Sequence, residues 1–364
     1  MAGWWLYISY VSIVLLNATA FPVWLRILAP QLVEWGYLYT VGRYKVYLGY
    51  IIASLLILTV FFLVNYFGVK TMGRVKSAMS LTLVVGGLLY IVLCLSRGDI
   101  ANTWNPSPWS IENGAVGGII TWLAIAPWAY VGFDTVPQAI EEAKVDPRKA
   151  FLAIFIALLA GASFYAFVTL ATAAVRPWSY FLGTWLATAT AAGEATGDVG
   201  VAIVLISALM GILTSANGFM YASSRLLFAM SRDELLPKTF SDLHENFGTP
   251  HKALLLAFIL SLVGPLFGRE ALLWFVDIAS FGTALAYLYV GLTIYKQRRN
   301  LALKNNKREN QIKTVAIISS ITALIFLLLL MRKLWISYRY TPFLAIALYT
   351  LVGILLYRFR DVFR

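Results

Sequence analysis

Charge is what this sequence has least of. Only 13% of its 364 residues are Asp, Glu, Lys or Arg, where an ordinary soluble chain carries about 25%. Together with 60% hydrophobic residues and a mean hydropathy of +0.77, that shortage excludes a water-soluble enzyme, a nucleic-acid-binding protein and a disordered segment. Cysteine is reduced to Cys94, which can form no disulfide within the chain. Histidine is reduced to His244 and His251, seven positions apart, and both read as loop residues rather than metal ligands. The chain has no His-Glu-x-x-His, no paired intramembrane aspartates and no Gly-x-Ser-x-Gly. A membrane-embedded enzyme is therefore left without a catalytic inventory. No positively charged n-region and no cleavage site follow Met1, so no signal peptide is visible.

What is abundant is long apolar runs. A helix that spans a bilayer needs roughly 20 mostly apolar residues, and ten such runs occur: 2–28, 46–66, 77–96, 117–139, 151–175, 199–230, 253–267, 271–295, 314–331 and 341–357. They are continuous and rich in Leu and Ala, unlike the alternating strands of a barrel. The expected fold class is an all-α, polytopic membrane protein of ten transmembrane helices. Basic residues are distributed unevenly between the two sides that these spans define. The connections after the even-numbered spans hold 20 of the 29 Lys and Arg residues. The positive-inside rule then places both termini in the cytoplasm, in a cytoplasmic membrane. The net charge of +12 is mostly this topology signal, and the run 296–313 reads as a positive-inside loop, not a nucleic-acid site.

Polar and helix-breaking residues inside a membrane are costly, so they locate function. In the fourth span, Pro127 and Pro137 bracket Trp128, Ala129, Tyr130, Val131, Gly132, Phe133 and Asp134. Proline removes a backbone donor and glycine favours unwinding, so a discontinuous helix is expected here. In transporters such breaks hold charged substrates. Downstream, Glu141 and Glu142 are either a cytoplasmic gate, pairing with a basic residue such as Arg225, or solvated loop charges. Asp146-Pro147 reads as an N-cap followed by the first residue of the next helix. In the sixth span, Thr214, Ser215 and Asn217 either pack against neighbouring helices or offer oxygens to a sodium ion, packing being the better reading. In the eighth span, Asp277 is expected near the outer half, meeting water.

These segments together resemble the amino acid–polyamine–organocation (APC) permease superfamily. The resemblance rests on Tyr130-Val-Gly132-Phe133-Asp134, Glu141-Glu142, Asp146-Pro147-Arg148, Ser223-Ser224-Arg225, Ser231-Arg232-Asp233-Glu234-Leu-Leu-Pro237 and Thr249-Pro250. Asn65-Tyr-Phe-Gly68-Val69-Lys70 and Asp277-Ile-Ala-Ser-Phe-Gly-Thr283 extend it over essentially the whole chain. It implies an inverted five-plus-five, leucine-transporter-like repeat, with the ten spans matching family helices three to twelve. The remnant of the first repeat then covers about 1–98, the second repeat about 114–297, and two C-terminal helices about 313–358. The broken fourth span would match family helix six. Trp128 would take the aromatic gate position, and backbone at Trp128, Ala129 and Val131 would accept from a substrate ammonium. Asp134 would stand where some members carry an acidic group linked to proton-dependent gating.

Two departures accompany the resemblance. Family helices one and two have no counterpart here, so half of the substrate site is expected to be missing. The lysine that proton-coupled members carry within helix five is absent from 81–95. The expected function is a secondary transporter for amino acids or related amines, working by alternating access, with no cofactor and with proton or sodium coupling both open. Its expected partners are a small-molecule substrate and the lipid bilayer. The alternatives are a transport-inactive permease fragment and, more remotely, the membrane enzyme. Substrate identity and oligomeric state leave no mark in these residues.

Overall fold

The computed structural model describes residues 1–42, 44–68, 72–107, 114–136, 146–184, 186–268, 270–302, 306–338 and 341–358. Its helices are α1 (Ala2–Leu28), α2 (Leu48–Tyr66), α3 (Met72–Arg97), α4 (Gly114–Tyr130), α5 (Pro147–Val175), α6 (Ala187–Thr196), α7 (Asp198–Arg232), α8 (His251–Ser261), α9 (Glu270–Leu301), α10 (Asn306–Tyr338) and α11 (Thr341–Arg358). Seven of these are long and apolar enough to cross a membrane, and three shorter apolar helices accompany them. The ten correspond one to one with the ten apolar runs. The seventh run is α8, extended through a 3-10 turn at Gly264–Phe267.

Two elements fall outside the expected pattern. An antiparallel hairpin, β1 (Tyr37–Val41) and β2 (Tyr44–Tyr47), precedes α2, with Tyr37 opposite Tyr47 and Val41 opposite Tyr44. It takes the first two residues of the expected second span, and α2 begins at Leu48. The other is α6, too short at ten residues to span. The fold is otherwise helical, as expected.

Local chemistry explains several boundaries. Asp146 caps α5, its carboxylate accepting from the Arg148 amide at 2.9 Å, and Pro147 occupies the first turn, where its missing N–H costs nothing. Pro22 lies inside α1, where it removes one backbone hydrogen bond about three-quarters of the way along the helix.

The centre of the bundle is α1, which packs against both α7 and α9. Against α9, Ser9 Oγ donates to the Ala279 carbonyl at 2.9 Å and shares a 2.6 Å hydrogen bond with Thr283. A Cβ on Gly282 would fall within 2.4 Å of the Trp5 carbonyl, so only glycine lets the two backbones come this close. Small residues and interhelical hydroxyl bonds are the usual means of joining helices in lipid, where apolar burial gives little drive. Against α7, Trp24 donates its indole N–H to the Leu205 carbonyl at 2.7 Å. The periphery is the reverse. On α5, Phe151, Leu152, Phe155, Ile156 and Leu159 are all exposed, a surface that water would not tolerate and acyl chains do.

Candidate functional site

The fourth span stops being a helix where the sequence places the break. α4 closes its last turn with the Val131 amide on the Pro127 carbonyl at 3.1 Å, and a turn follows over 131–134. Gly132 adopts φ +128, which an L side chain rarely takes. Asp134 Oδ1 accepts from the Gly132 amide at 2.7 Å, while the Gly132 carbonyl accepts from both the amide and the hydroxyl of Thr135. The break is thus a hydrogen-bonded turn, as irregular backbone at membrane depth must be.

Four helices converge on it. From α1, the buried Tyr10 donates its hydroxyl to Asp134 Oδ2 at 2.6 Å. From α7, Phe219 packs on the Tyr10 ring at 5.4 Å and lies next to Gly132. From α9, the Tyr287 ring lies 5.6 Å from Phe133, and its buried hydroxyl has no partner among the described residues. From α5, Tyr165 donates to the Ala129 carbonyl at 3.0 Å, and its ring meets Tyr130 edge-on at 6.0 Å. Of the three backbone positions expected to receive a substrate ammonium, Ala129 is therefore already engaged by a phenol. Trp128, Ala129, Val131, Gly132, Phe133 and Asp134 are all partly exposed, and Tyr130 is more open.

The other expected residues lie elsewhere. Ser215 accepts from Asn17 of α1 at 3.0 Å, Asn217 accepts from Asn65 of α2 at 2.6 Å, and Thr214 bonds back to the Met210 carbonyl of its own helix. Ser215 and Asn217 thus join α7 to α1 and α2, while Thr214 stays within α7. Arg225 lies over the Tyr221 ring at 4.4 Å. Glu141 and Glu142 lie outside the described residues, as do positions 137–139 of the expected fourth span.

Asp277 corrects an expectation. It does not meet water: it is 3% exposed and paired with Lys333 of α10 at 2.5 Å. The sequence counted Lys333 only as a loop charge. No residue within 81–95 of α3 is a lysine, but Lys76, a turn into that helix, reaches α7 with its ammonium beside Gly218. His244 and His251 have their rings 5.5 Å apart and edge-on, and both meet the Tyr66 ring edge-on at the end of α2. Among the described residues no group of three or more His, Cys, Asp or Glu could hold a metal ion.

Sequence reasoning missed Tyr10, Tyr165 and Tyr287. Their only signal is a hydroxyl on an apolar span, and 20 tyrosines make that signal weak.

Ten apolar helices, one broken around a carboxylate that a neighbouring helix grips, define a multi-pass membrane protein of the permease kind. The sequence profile of the family described as "Amino acid permease" matches residues 1–356, and the chain belongs to that family. The chain is 28% identical over 273 residues to the methylthioribose transporter of Bacillus subtilis, covering 74% of this chain and 57% of that protein. It is 27% identical over 252 residues to the branched-chain amino acid permease BcaP of Lactococcus lactis, covering 68% of this chain and 53% of that protein. BcaP of B. subtilis is 26% identical over 293 residues, covering 80% of this chain and 60% of that protein. The chain thus spans little more than half the length of these curated relatives, all of which are named as transporters or permeases and none as an enzyme.

Proposed function

We propose that this chain forms the substrate-translocating body of a secondary transporter. It moves amino acids or related amines across the cytoplasmic membrane by alternating access, and both its termini face the cytoplasm. The substrate is held at the break between Trp128 and Asp134. The observation that carries this reading is the Tyr10–Asp134 hydrogen bond at the turn that interrupts α4. A carboxylate within a spanning helix is expensive unless it serves a function, and a broken helix at membrane depth is where transporters bind their cargo. The two bonds from Tyr10 and Gly132 consume acceptor capacity of Asp134 that an incoming ammonium would otherwise use. Substrate binding and the α1–α4 contact therefore compete for the same carboxylate, which is how occupancy drives a switch between states. Trp128, Tyr130 and Phe133 supply faces for an apolar or cationic side chain. The relatives' names point the same way, toward amino acids. Coupling to protons or sodium belongs to the same mechanism, without a bound cofactor.

The test is uptake of labelled amino acids by the natural protein and by Asp134→Asn and Trp128→Ala. Both substitutions lower uptake in this reading. Unchanged kinetics in both variants would remove the substrate site from this turn.

A further inference from the structure

A cavity of about 300 Å³ lies at the far end of α1 from the break, beneath the hairpin. Tyr10 and Arg26 are sixteen residues apart, about 24 Å along a helix, so this is a separate place in the molecule. It is lined by the last turns of α1 as far as Arg26, by Lys45 and Tyr47 of the hairpin, by Tyr50 at the start of α2, and by Glu34. The hairpin is tied down where it covers the cavity. The Leu48 amide donates to the Gly36 carbonyl at 2.8 Å, and Tyr39 donates to the Leu266 carbonyl.

Among the described side chains that line this space, cations outnumber carboxylates. Arg26 Nε is bonded to Glu34 Oε1 at 2.6 Å, so that carboxylate is spent on that guanidinium. Lys45 lines the same cavity and pairs with no carboxylate among the described residues. The described lining thus offers two cations, Arg26 and Lys45, against the one carboxylate of Glu34. Tyr50 and Arg26 both line the cavity, so a phenol and a guanidinium border the same volume as the ammonium. The Tyr47 and Tyr50 rings, 5.7 Å apart, offer apolar faces behind these polar groups. Convergent donors, a surplus cation and ring faces around a space of this size are what a small-molecule pocket needs. Guanidinium and ammonium groups together select an oxyanion.

We propose that this cavity binds a small oxyanion, a carboxylate or phosphate group, whose charge is met by Lys45 and Arg26 and whose body packs on Tyr47 and Tyr50. The group comes either from a free solute or from the headgroup of an anionic phospholipid, because the chemistry of recognition is the same. The site is independent of the break in α4, and its binding is read without any transport assay.

The experiment has two arms, each on the natural protein and on Lys45→Gln, an exposed position whose substitution leaves the fold intact. In uncharged maltoside detergent, inorganic phosphate and benzoate are titrated while hydrogen–deuterium exchange of residues 34–50 is followed. In phosphatidylcholine nanodiscs with and without phosphatidylglycerol, native mass spectrometry counts the anionic lipid retained. Saturable protection by either solute, weakened about tenfold or more in Lys45→Gln, assigns a solute site, in line with the usual strength of a charged hydrogen bond. Phosphatidylglycerol retained by the natural protein and lost from Lys45→Gln assigns a headgroup site. Neither effect in the natural protein, or equal binding by the variant in both arms, overturns the proposal.

Discussion

Tyr10 and Asp134 are 124 residues apart in sequence and 2.6 Å apart in space. Their hydrogen bond ties the central helix of the bundle to the interrupted one. Replacing Tyr10 by Phe keeps the ring on Phe219 and removes only the donor. Loss of a hydrogen bond to a carboxylate costs about 1.5–3 kcal/mol, so the variant remains folded with a lowered thermal midpoint and transports more slowly. Replacing Tyr287 by Phe removes a hydroxyl that has no partner among the described residues, and its thermal midpoint stays at or above that of the natural protein. Uptake and detergent thermal shifts of the two variants check both statements. Equal destabilisation in the two would contradict the assigned bonding.

The contact between α1 and α9 depends on Gly282. An added methyl meets the Trp5 carbonyl, and overpacking of this kind costs about 1–3 kcal/mol. Gly282→Ala should therefore unfold at lower temperature in detergent. Gly118→Ala on α4, where a Cβ meets nothing within 4 Å, should be neutral or slightly stabilising, because alanine is the better helix former. Identical midpoints for the two variants would mean that the helices do not approach as closely as this.

Lys333→Met leaves the Asp277 carboxylate buried and alone. Breaking a buried pair from one side costs about 3–5 kcal/mol, whereas replacing both partners by apolar residues is often neutral. Lys333 is partly exposed, which places the expected loss at the lower end of that range. Adding Asp277→Leu to Lys333→Met should recover most of it. A double variant no better than the single one would show that the pair is not what holds α9 to α10.

Outside the membrane, Arg176 donates to Glu194 at 2.9 Å, and Tyr180 donates to the same carboxylate. The Arg176 guanidinium holds the Glu194 carboxyl below its usual range. A carboxyl depressed in the folded state stabilises above its unfolded value, and that contribution is lost as pH falls through the depressed one. Amide exchange in α6 should therefore rise in acid, below the ordinary carboxylate range, and stay flat between neutral pH and that range. Glu194→Gln should make exchange insensitive to acid. A variant that retains the acid response would assign it to another group.

How much of this was visible in the sequence depends on the range of the interaction. The limits of α1 follow from one unbroken apolar run, and the start of α5 follows from Asp146-Pro147, because both are local. The break after Tyr130 follows from Pro127 and Gly132 for the same reason. Tyr10 and Tyr287 were invisible because a tyrosine on an apolar span looks like any other, and its partner lies on a different helix. Asp277 was misplaced in the same way. Its partner Lys333 is 56 residues away and was counted only for its charge. The hairpin was missed because Val46 and Tyr47 are apolar enough to merge with the run that becomes α2.

Pro22 divides α1 between these two regions. Toward the N-terminus, the helix is clamped to α9 through Ser9 and carries Tyr10; toward the C-terminus, it carries Arg26 under the hairpin. With one rung of the backbone ladder missing between them, the rod has a joint rather than a stiff shaft. Pro22 itself lines the cavity beneath the hairpin, so the missing rung lies in the cavity wall and not beside the grip on Asp134.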